Sequence, residues 1–141
     1  FIPLLNILLI SLNKYMITLF AEDIMLKNVI VGNPNDLVAA CKLKMFRSNI
    51  GALPIVDGKK LVGIITHRDV LWAGNEVVTL KIKDLMTKEL VTAERDTSVI
   101  EISKIMSETG LQRIPVVEDG NLIGLVTQSC IIKAVANMFK P

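Results

Sequence analysis

Thr66 and Asp69 stand three residues apart where an aliphatic run ends, in Gly63-Ile64-Ile65-Thr66-His67-Arg68-Asp69. A hydroxyl at a strand end, beside the free N–H groups that open a helix, suits an anion such as phosphate. A carboxylate three residues further on can accept two hydrogen bonds from a vicinal diol, so the pair makes a nucleotide grip. The same residue types also serve as a plain helix cap, and the sequence leaves both roles open. His67 is either a phosphate or pH-sensitive contact or a solvent-facing residue of the first helical turn. Arg68 is either a phosphate arm or a solvated helix charge. The pattern returns 61 residues later as Gly124-Leu125-Val126-Thr127-Gln128-Ser129-Cys130, with a thiol in place of the carboxylate.

That return is part of a longer duplication. Asp23 to Leu71 repeats as Asp84 to Ile132 without insertion or deletion, and ten of the 49 pairs are identical, among them Asp23/Asp84, Met25/Met86, Pro54/Pro115, Gly63/Gly124 and Thr66/Thr127. Many other pairs exchange one aliphatic residue for another. A duplicated unit encloses pseudo-symmetric sites, so positions where the copies differ in chemistry are where function is to be sought.

The elements that must position these residues follow from periodicity and turn signals. In the first copy, Asn28 to Val31 reads as a short strand ended by Gly32-Asn33-Pro34-Asn35, and Asp36 to Arg47 reads as a helix. Leu53 to Val56 and Leu61 to Thr66 form a hairpin around Asp57-Gly58-Lys59-Lys60. Arg68 to Trp72 is a second helix ending at Gly74. The second copy gives strand Leu90 to Ala93, helix Thr97 to Glu108, strands Ile114 to Val117 and Leu122 to Thr127, and helix Ser129 to Phe139. The order in each copy is β-α-β-β-α, an α+β class of α/β type. Repeat boundaries fall at 1–15 for an apolar extension, 16–80 for the first unit with the linker Asn75 to Lys83, and 81–141 for the second.

Two units of about 60 residues would be marginal alone, so they are expected to share a core. A net charge of +2 and six aromatic residues (four Phe, one Tyr, one Trp) give neither the field nor the stacking platforms of a nucleic-acid binder. Cys41 and Cys130 lie in apolar helical patterns without metal-ligand spacing and read as buried thiols of a reducing, cytoplasmic setting. The six methionines read as gap-fillers of core or interface. Phe1 to Ile10 is strongly apolar, but Asn6, Ser11, Asn13 and Lys14 interrupt the stretch, which disfavours a membrane span. No basic segment precedes it, so it is a poor signal peptide. Phe1, Leu4, Leu5, Leu8 and Leu12 would line one helical face able to dock on a neighbour. No Ser-His-Asp set, metal cluster or Walker loop occurs, so neither an enzyme nor a catalytic cofactor is expected.

Together, Asp23-Ile24-Met25, Asn49-Ile50-Gly51-Ala52-Leu53-Pro54-Ile55-Val56-Asp57, Leu61 to Asp69 and their partners 61 residues on resemble a tandem pair of CBS (cystathionine-β-synthase) domains, the Bateman module, over about Leu19 to Lys140. The resemblance implies two units related by a pseudo-two-fold axis and packed through their sheets. It also implies an adenosine-containing ligand, AMP, ADP, ATP or S-adenosylmethionine, bound across the pair. Carried onto this chain, one site joins Ile64, Thr66, His67, Arg68 and Asp69 to Leu90, Val91, Thr92, Gln112, Arg113 and Pro115. Asp69 would take the ribose hydroxyls, Thr66 a ribose or phosphate oxygen, the backbone near Val91 the adenine edge, and Arg113 the phosphate. The other site joins Thr127 and Cys130 to Val29, Ile30, Gly51 and Ala52. It departs from the family pattern twice, with Cys130 where the carboxylate belongs and Ala52 where the first has Arg113, and a thiol is a weak hydrogen-bond partner.

The function so implied is a stand-alone regulatory module that senses an adenine nucleotide through one competent cleft, beside a degenerate one. It would form a homodimer, a disc of four CBS units packed through the helices ending in Trp72 and Phe139, and would signal to an unknown effector protein. No nucleic-acid or membrane partner is expected. A ligand-free dimeric scaffold, or a membrane-associated regulator held by residues 1–20, is the alternative.

Overall fold

The protein is described by a computed structural model over residues 2–138. Along the chain the elements are α1 (Ile2–Ile17), α2 (Ala21–Ile24), α3 (Val38–Ser48), β1 (Ala52–Asp57), β2 (Lys60–Thr66), α4 (His67–Ala73), a 3-10 helix (Gly74–Val78), α5 (Ile82–Leu85), α6 (Val99–Thr109), β3 (Arg113–Glu118), β4 (Asn121–Thr127) and α7 (Gln128–Asn137). The expected end of the last helix at Phe139, like Phe1 in the N-terminal face, lies outside the described residues.

The chain forms two compact bodies that cut across the sequence repeat. A first-repeat body holds Asn28–Val91 with Asp119–Leu122; a second-repeat body holds Phe1–Lys27, Thr92–Glu118 and Ile123–Pro141. Each body therefore contains the lead-in segment of the other repeat. The matched hydrogen bonds show how. Ala21 N–H donates to Thr97 O (2.8 Å), Glu22 N–H to Arg95 O (3.1 Å) and Val99 N–H to Leu19 O (3.0 Å). In the first-repeat body the equivalent bonds run from Ile82 to Asp36 (2.8 Å), Lys83 to Pro34 (2.9 Å) and Val38 to Leu80 (2.9 Å). Asp23 and Asp84 each accept the N–H three residues earlier, from Phe20 (2.8 Å) and Lys81 (3.2 Å), and so start α2 and α5.

The lead-ins lie flat because two glycines carry no side chain. Leu26 exchanges both backbone bonds with Leu125, at 2.9 and 3.0 Å, and Thr87 does the same with Ile64, at 2.9 and 3.0 Å. Beside these bridges, a Cβ on Gly124 would run into the Met25 side chain and one on Gly63 into that of Met86. The identity of both pairs between the copies thus records one packing contact used twice.

β1 and β2 form an antiparallel hairpin with Ala52 opposite Thr66, and within the same body Lys60 pairs with Asn121. β3 and β4 are likewise hydrogen-bonded neighbours. Asp119 and Gly120 both take positive φ, +52° and +81°, as a two-residue turn of the primed type requires. The expected strands Asn28 to Val31 and Leu90 to Ala93 are corrected: each is irregular up to a single parallel bridge, Gly32 with Ile55 and Ala93 with Val116. The chain meets the hairpin edge only there, where Pro54 O and Pro115 O accept the N–H of Gly32 (3.0 Å) and Ala93 (2.9 Å). The linker Asn75 to Lys83 runs through the 3-10 helix and into α5.

The two copies share core by exchange, in two clusters. Buried apolar residues of the first-repeat body, Val38, Cys41, Met45, Leu53, Ile55, Ile65, Val70 and Ile82, form one cluster. Those of the second-repeat body, including Ala21, Ile102, Met106, Ile114, Val116, Val126 and Cys130, form another. The borrowed lead-in supplies Ile82 to one and Ala21 to the other, which adds core that the repeat lacks by itself. Burial pushes the Cys41 thiol up to about 11, against the opposing pull of Lys44, so it stays protonated and inert. In α1, Leu4, Leu5, Ile7, Leu8, Leu9 and Ile10 are all exposed, and at 100° per residue they lie on several sides of the helix, with Leu4, Leu5 and Leu8 of the expected face among them.

Gly63→Ala and Gly124→Ala should each destabilise the protein by about 1–3 kcal/mol through overpacking against methionine. Urea unfolding checks this. Pairing Gly124→Ala with Met25→Ala should recover part of the loss, and simple additivity would count against the contact.

Candidate functional site

Thr66 ends β2 in extended conformation and caps α4. Its hydroxyl accepts the Asp69 N–H at 3.2 Å and donates to Asp69 Oδ2 at 2.9 Å, while its own N–H donates to the same Oδ2 at 2.8 Å. The capping role is thus realised, and it uses one carboxylate oxygen. No hydrogen bond engages Asp69 Oδ1 among the described residues, so the cap leaves the second oxygen unused. The Thr66 hydroxyl proton is committed to the carboxylate, which makes Thr66 chiefly the residue that fixes Asp69. Arg68, Asp69, Leu71 and Trp72 line a hollow of about 470 Å³, with Trp72 itself 88 % exposed.

The second-repeat body rebuilds the same cap from a thiol. Thr127 N–H reaches Cys130 Sγ at 3.4 Å, the Thr127 hydroxyl lies 3.3 Å from that sulfur, and Cys130 N–H donates to Thr127 Oγ1 at 3.3 Å. Cys130 is buried and its S–H points to Leu125 O at 3.9 Å. All these contacts are longer than their carboxylate counterparts. Sulfur is also a single weak acceptor atom, so no second oxygen is left over. A hollow of about 460 Å³ at this end is lined by Thr127, Ser129, Cys130 and Lys133 with Asp23 and Leu26.

The remaining expected residues divide between the bodies. Ile64, His67, Leu90 and Val91 belong with Thr66 and Asp69 in the first-repeat body, as do Val29, Ile30 and Ala52. Thr92, Gln112, Arg113 and Pro115 belong to the second-repeat body with Thr127 and Cys130. Val91 and Thr92 are exposed, and Arg113 is half-buried at the start of β3. His67 N–H donates to Gly51 O at 2.8 Å, and Gln128 N–H to Gln112 O at 3.1 Å, so the pre-proline segment and the strand end are tied alike in both copies. His67 does not share the hollow of Asp69; it lines another one with Lys42 and Phe46.

Sequence reasoning missed Lys44. Its ammonium donates to Val31 O at 2.7 Å and ties down the segment Val29–Val31. Ile105 stands at the same place in the second copy and makes no such bond. The signal was present as a charge difference between copies.

The CBS domain model matches residues 21–76 and 82–137, and the chain belongs to the CBS-domain family. Among relatives, an inosine-5'-monophosphate dehydrogenase of Methanocaldococcus jannaschii is 42 % identical over 115 residues, which is 80 % of this chain but 23 % of that enzyme. The uncharacterized protein YlbB of Bacillus subtilis is 41 % identical over 97 residues, 65 % of this chain and 66 % of its own length. The crystal structure of the CBS domain pair of protein MJ0100, in complex with 5'-methylthioadenosine and S-adenosyl-L-methionine, matches with a TM-score of 0.75 and 31 % identity, covering 84 % of this chain and 97 % of that one. CBSX2 in complex with AMP matches with a TM-score of 0.80 and 26 % identity, covering 86 % and 98 %.

Removing the Asp69 carboxylate leaves two half-buried donors of Thr66 unpaired, so Asp69→Ala should cost about 1–3 kcal/mol. Cys130→Ala loses weaker bonds and should cost less through its cap. Thermal unfolding of the two variants compares them directly, and equal losses would contradict the difference in cap strength.

Proposed function

We propose that the protein is a regulatory module that binds an adenine nucleotide at one competent site and passes its occupancy to a partner protein. The observation that carries this reading is the unequal pair of caps. Asp69 offers an oxygen beyond what the cap consumes, and Cys130 does not. In this reading Asp69 accepts from the ribose hydroxyls and Thr66 holds it in place. The backbone around Leu90, Val91 and Thr92 reads the adenine edge, and Arg113, beside Gln112, supplies a forked charge to the phosphate. Solved relatives that hold AMP, or 5'-methylthioadenosine and S-adenosyl-L-methionine, favour an adenosyl ligand. Energy or metabolite sensing follows if the ligand prefers one arrangement of the module, since only differential affinity shifts such an equilibrium. The chain is read as a regulatory module and not as the catalytic protein, since it matches as two CBS domains and the likeness to a dehydrogenase spans 23 % of that enzyme.

Asp69→Cys is the informative variant, because the second copy already shows that a thiol serves the cap. It should remain folded yet lose at least about tenfold in affinity for AMP and lose AMP-induced thermal stabilisation. Stabilisation of the variant equal to that of the native chain would remove Asp69 from the site. A native chain that no adenine nucleotide stabilises would instead indicate a ligand-free scaffold.

The same reading includes a homodimer, in the family manner a disc of four CBS units, in which the exposed Leu71 and Trp72 of α4 are covered. Trp72→Ser should then shift the sedimenting species from dimer toward monomer, and an unchanged sedimentation coefficient would argue against this face. The exposed apolar residues on several sides of α1 favour a second reading, in which residues 1–20 hold the regulator at a lipid surface. No described helix is long and apolar enough to cross a membrane. Flotation with vesicles of the full chain, set against a chain starting at Met16, separates the readings. Flotation of the full chain alone supports the anchor, and flotation of neither removes it.

A further inference from the structure

The first-repeat body carries a second hollow, about 360 Å³ in volume, between α3 and the start of α4. Met45, Ile50 and Val70 make its floor, and Lys42, Phe46, Asn49 and His67 stand around it. No carboxylate lines it. Phe46 is 84 % exposed, so its ring is left beside the opening rather than packed into the core.

The duplication supplies an internal control. At the equivalent positions the second copy keeps the floor aliphatic, with Met106, Leu111 and Ile131, but surrounds it with Ser103, Ser107, Gly110 and Gln128. Uncharged, non-aromatic residues therefore satisfy the fold at these places. The first copy replaces them with an ammonium, an amide and an imidazole plus a phenyl ring, all facing one hollow. A single exposed phenylalanine needs no explanation, but a joint change at four positions around one cavity does.

The chemistry of the set is specific. An ammonium and an imidazole N–H are donors for an oxyanion, and no acidic neighbour in the lining competes for them. An aliphatic floor with a ring at its edge suits a flat apolar body. The volume lies at the low end of small-molecule sites, which span about 300–1,000 Å³. We propose that this hollow is a second ligand site, separate from Asp69, for a small aromatic anion. Lys42 and His67 hold its phosphate or carboxylate, and its ring lies against Phe46 above Met45, Ile50 and Val70. The assignment does not depend on the adenine-nucleotide reading.

The sequence contains one histidine and one tryptophan, so each hollow has its own reporter: the imidazole of His67 here, the indole of Trp72 beside Asp69. Isotope-labelled full-length protein is titrated with phenyl phosphate, inorganic phosphate and benzyl alcohol while both signals are followed by NMR. Phenyl phosphate should shift the His67 signals saturably, with a Kd of about 1 mM or tighter, at least about tenfold tighter than inorganic phosphate or benzyl alcohol, and leave Trp72 unmoved. Lys42→Ser and Phe46→Ser, which install the residues of the second copy, should stay folded by circular dichroism and weaken phenyl phosphate by at least about fivefold each. A shift that never saturates, equal affinity for inorganic phosphate, or undiminished binding in both variants would overturn the proposal. So would a dimer that either variant converts to monomer with no phenyl phosphate bound by the native chain, because the hollow would then be an interface between copies. AMP acting on Trp72 while phenyl phosphate fails at His67 would sink this site and leave the nucleotide reading standing.

Discussion

Everything in this fold waits on a side chain that is missing. Gly63 and Gly124 let the methionine of a lead-in segment lie flat on a strand, and in each case the lead-in comes from the other repeat. A Cβ at either position would run into the methionine side chain of the segment that carries a core residue, Ile82 in one body and Ala21 in the other. Each core cluster therefore includes a residue from the other repeat, Ala21 in one and Ile82 in the other. The exchange also places two of the passages between the bodies, at Lys27-Asn28 and at Val91-Thr92; the other two flank Asp119–Leu122. The exposed backbone near Ile30 and Val91 is a consequence of that passage, since segments held by one bridge each cannot be packed along their length.

On this common frame the two copies differ by local chemistry. The cap at Thr66 and the cap at Thr127 have the same topology, with donor and acceptor exchanged between residues three apart. A carboxylate brings two oxygens to a task that needs one; a thiol brings a single, softer atom at longer range. The fold tolerates either because the cap is satisfied in both. In the proposed reading the ligand does not tolerate either, because a ribose diol would need the oxygen that the cap leaves over. Lys44 on Val31 O adds a further inequality, tethering in one copy a segment that is left untethered in the other.

Much of this was legible in the sequence, for definite reasons. Hairpins are announced by Asp-Gly turns between aliphatic runs, and the threonine caps by their fixed spacing before a helix. The exchange of lead-ins was invisible, because a repeat in sequence does not say which copy a segment packs against. Strands reduced to single bridges were invisible too, since β-branched residues such as Val29, Ile30 and Val31 suit extended backbone whether or not a neighbour pairs with it. The division of Thr66 to Asp69 into two hollows, His67 facing Lys42 and Asp69 facing Trp72, depends on the direction of side chains on one helical turn. Sequence spacing sets that direction only after the helix start is known, and the structure places it at His67 rather than Arg68.

The central claim is that one repeat can hold a ribose and the other cannot. Isothermal titration of the native chain with AMP tests it most directly. One site per chain is the predicted result, unchanged in Cys130→Ser. Two equivalent sites per chain would contradict the account, because the thiol cap would then be doing what only the carboxylate is argued to do.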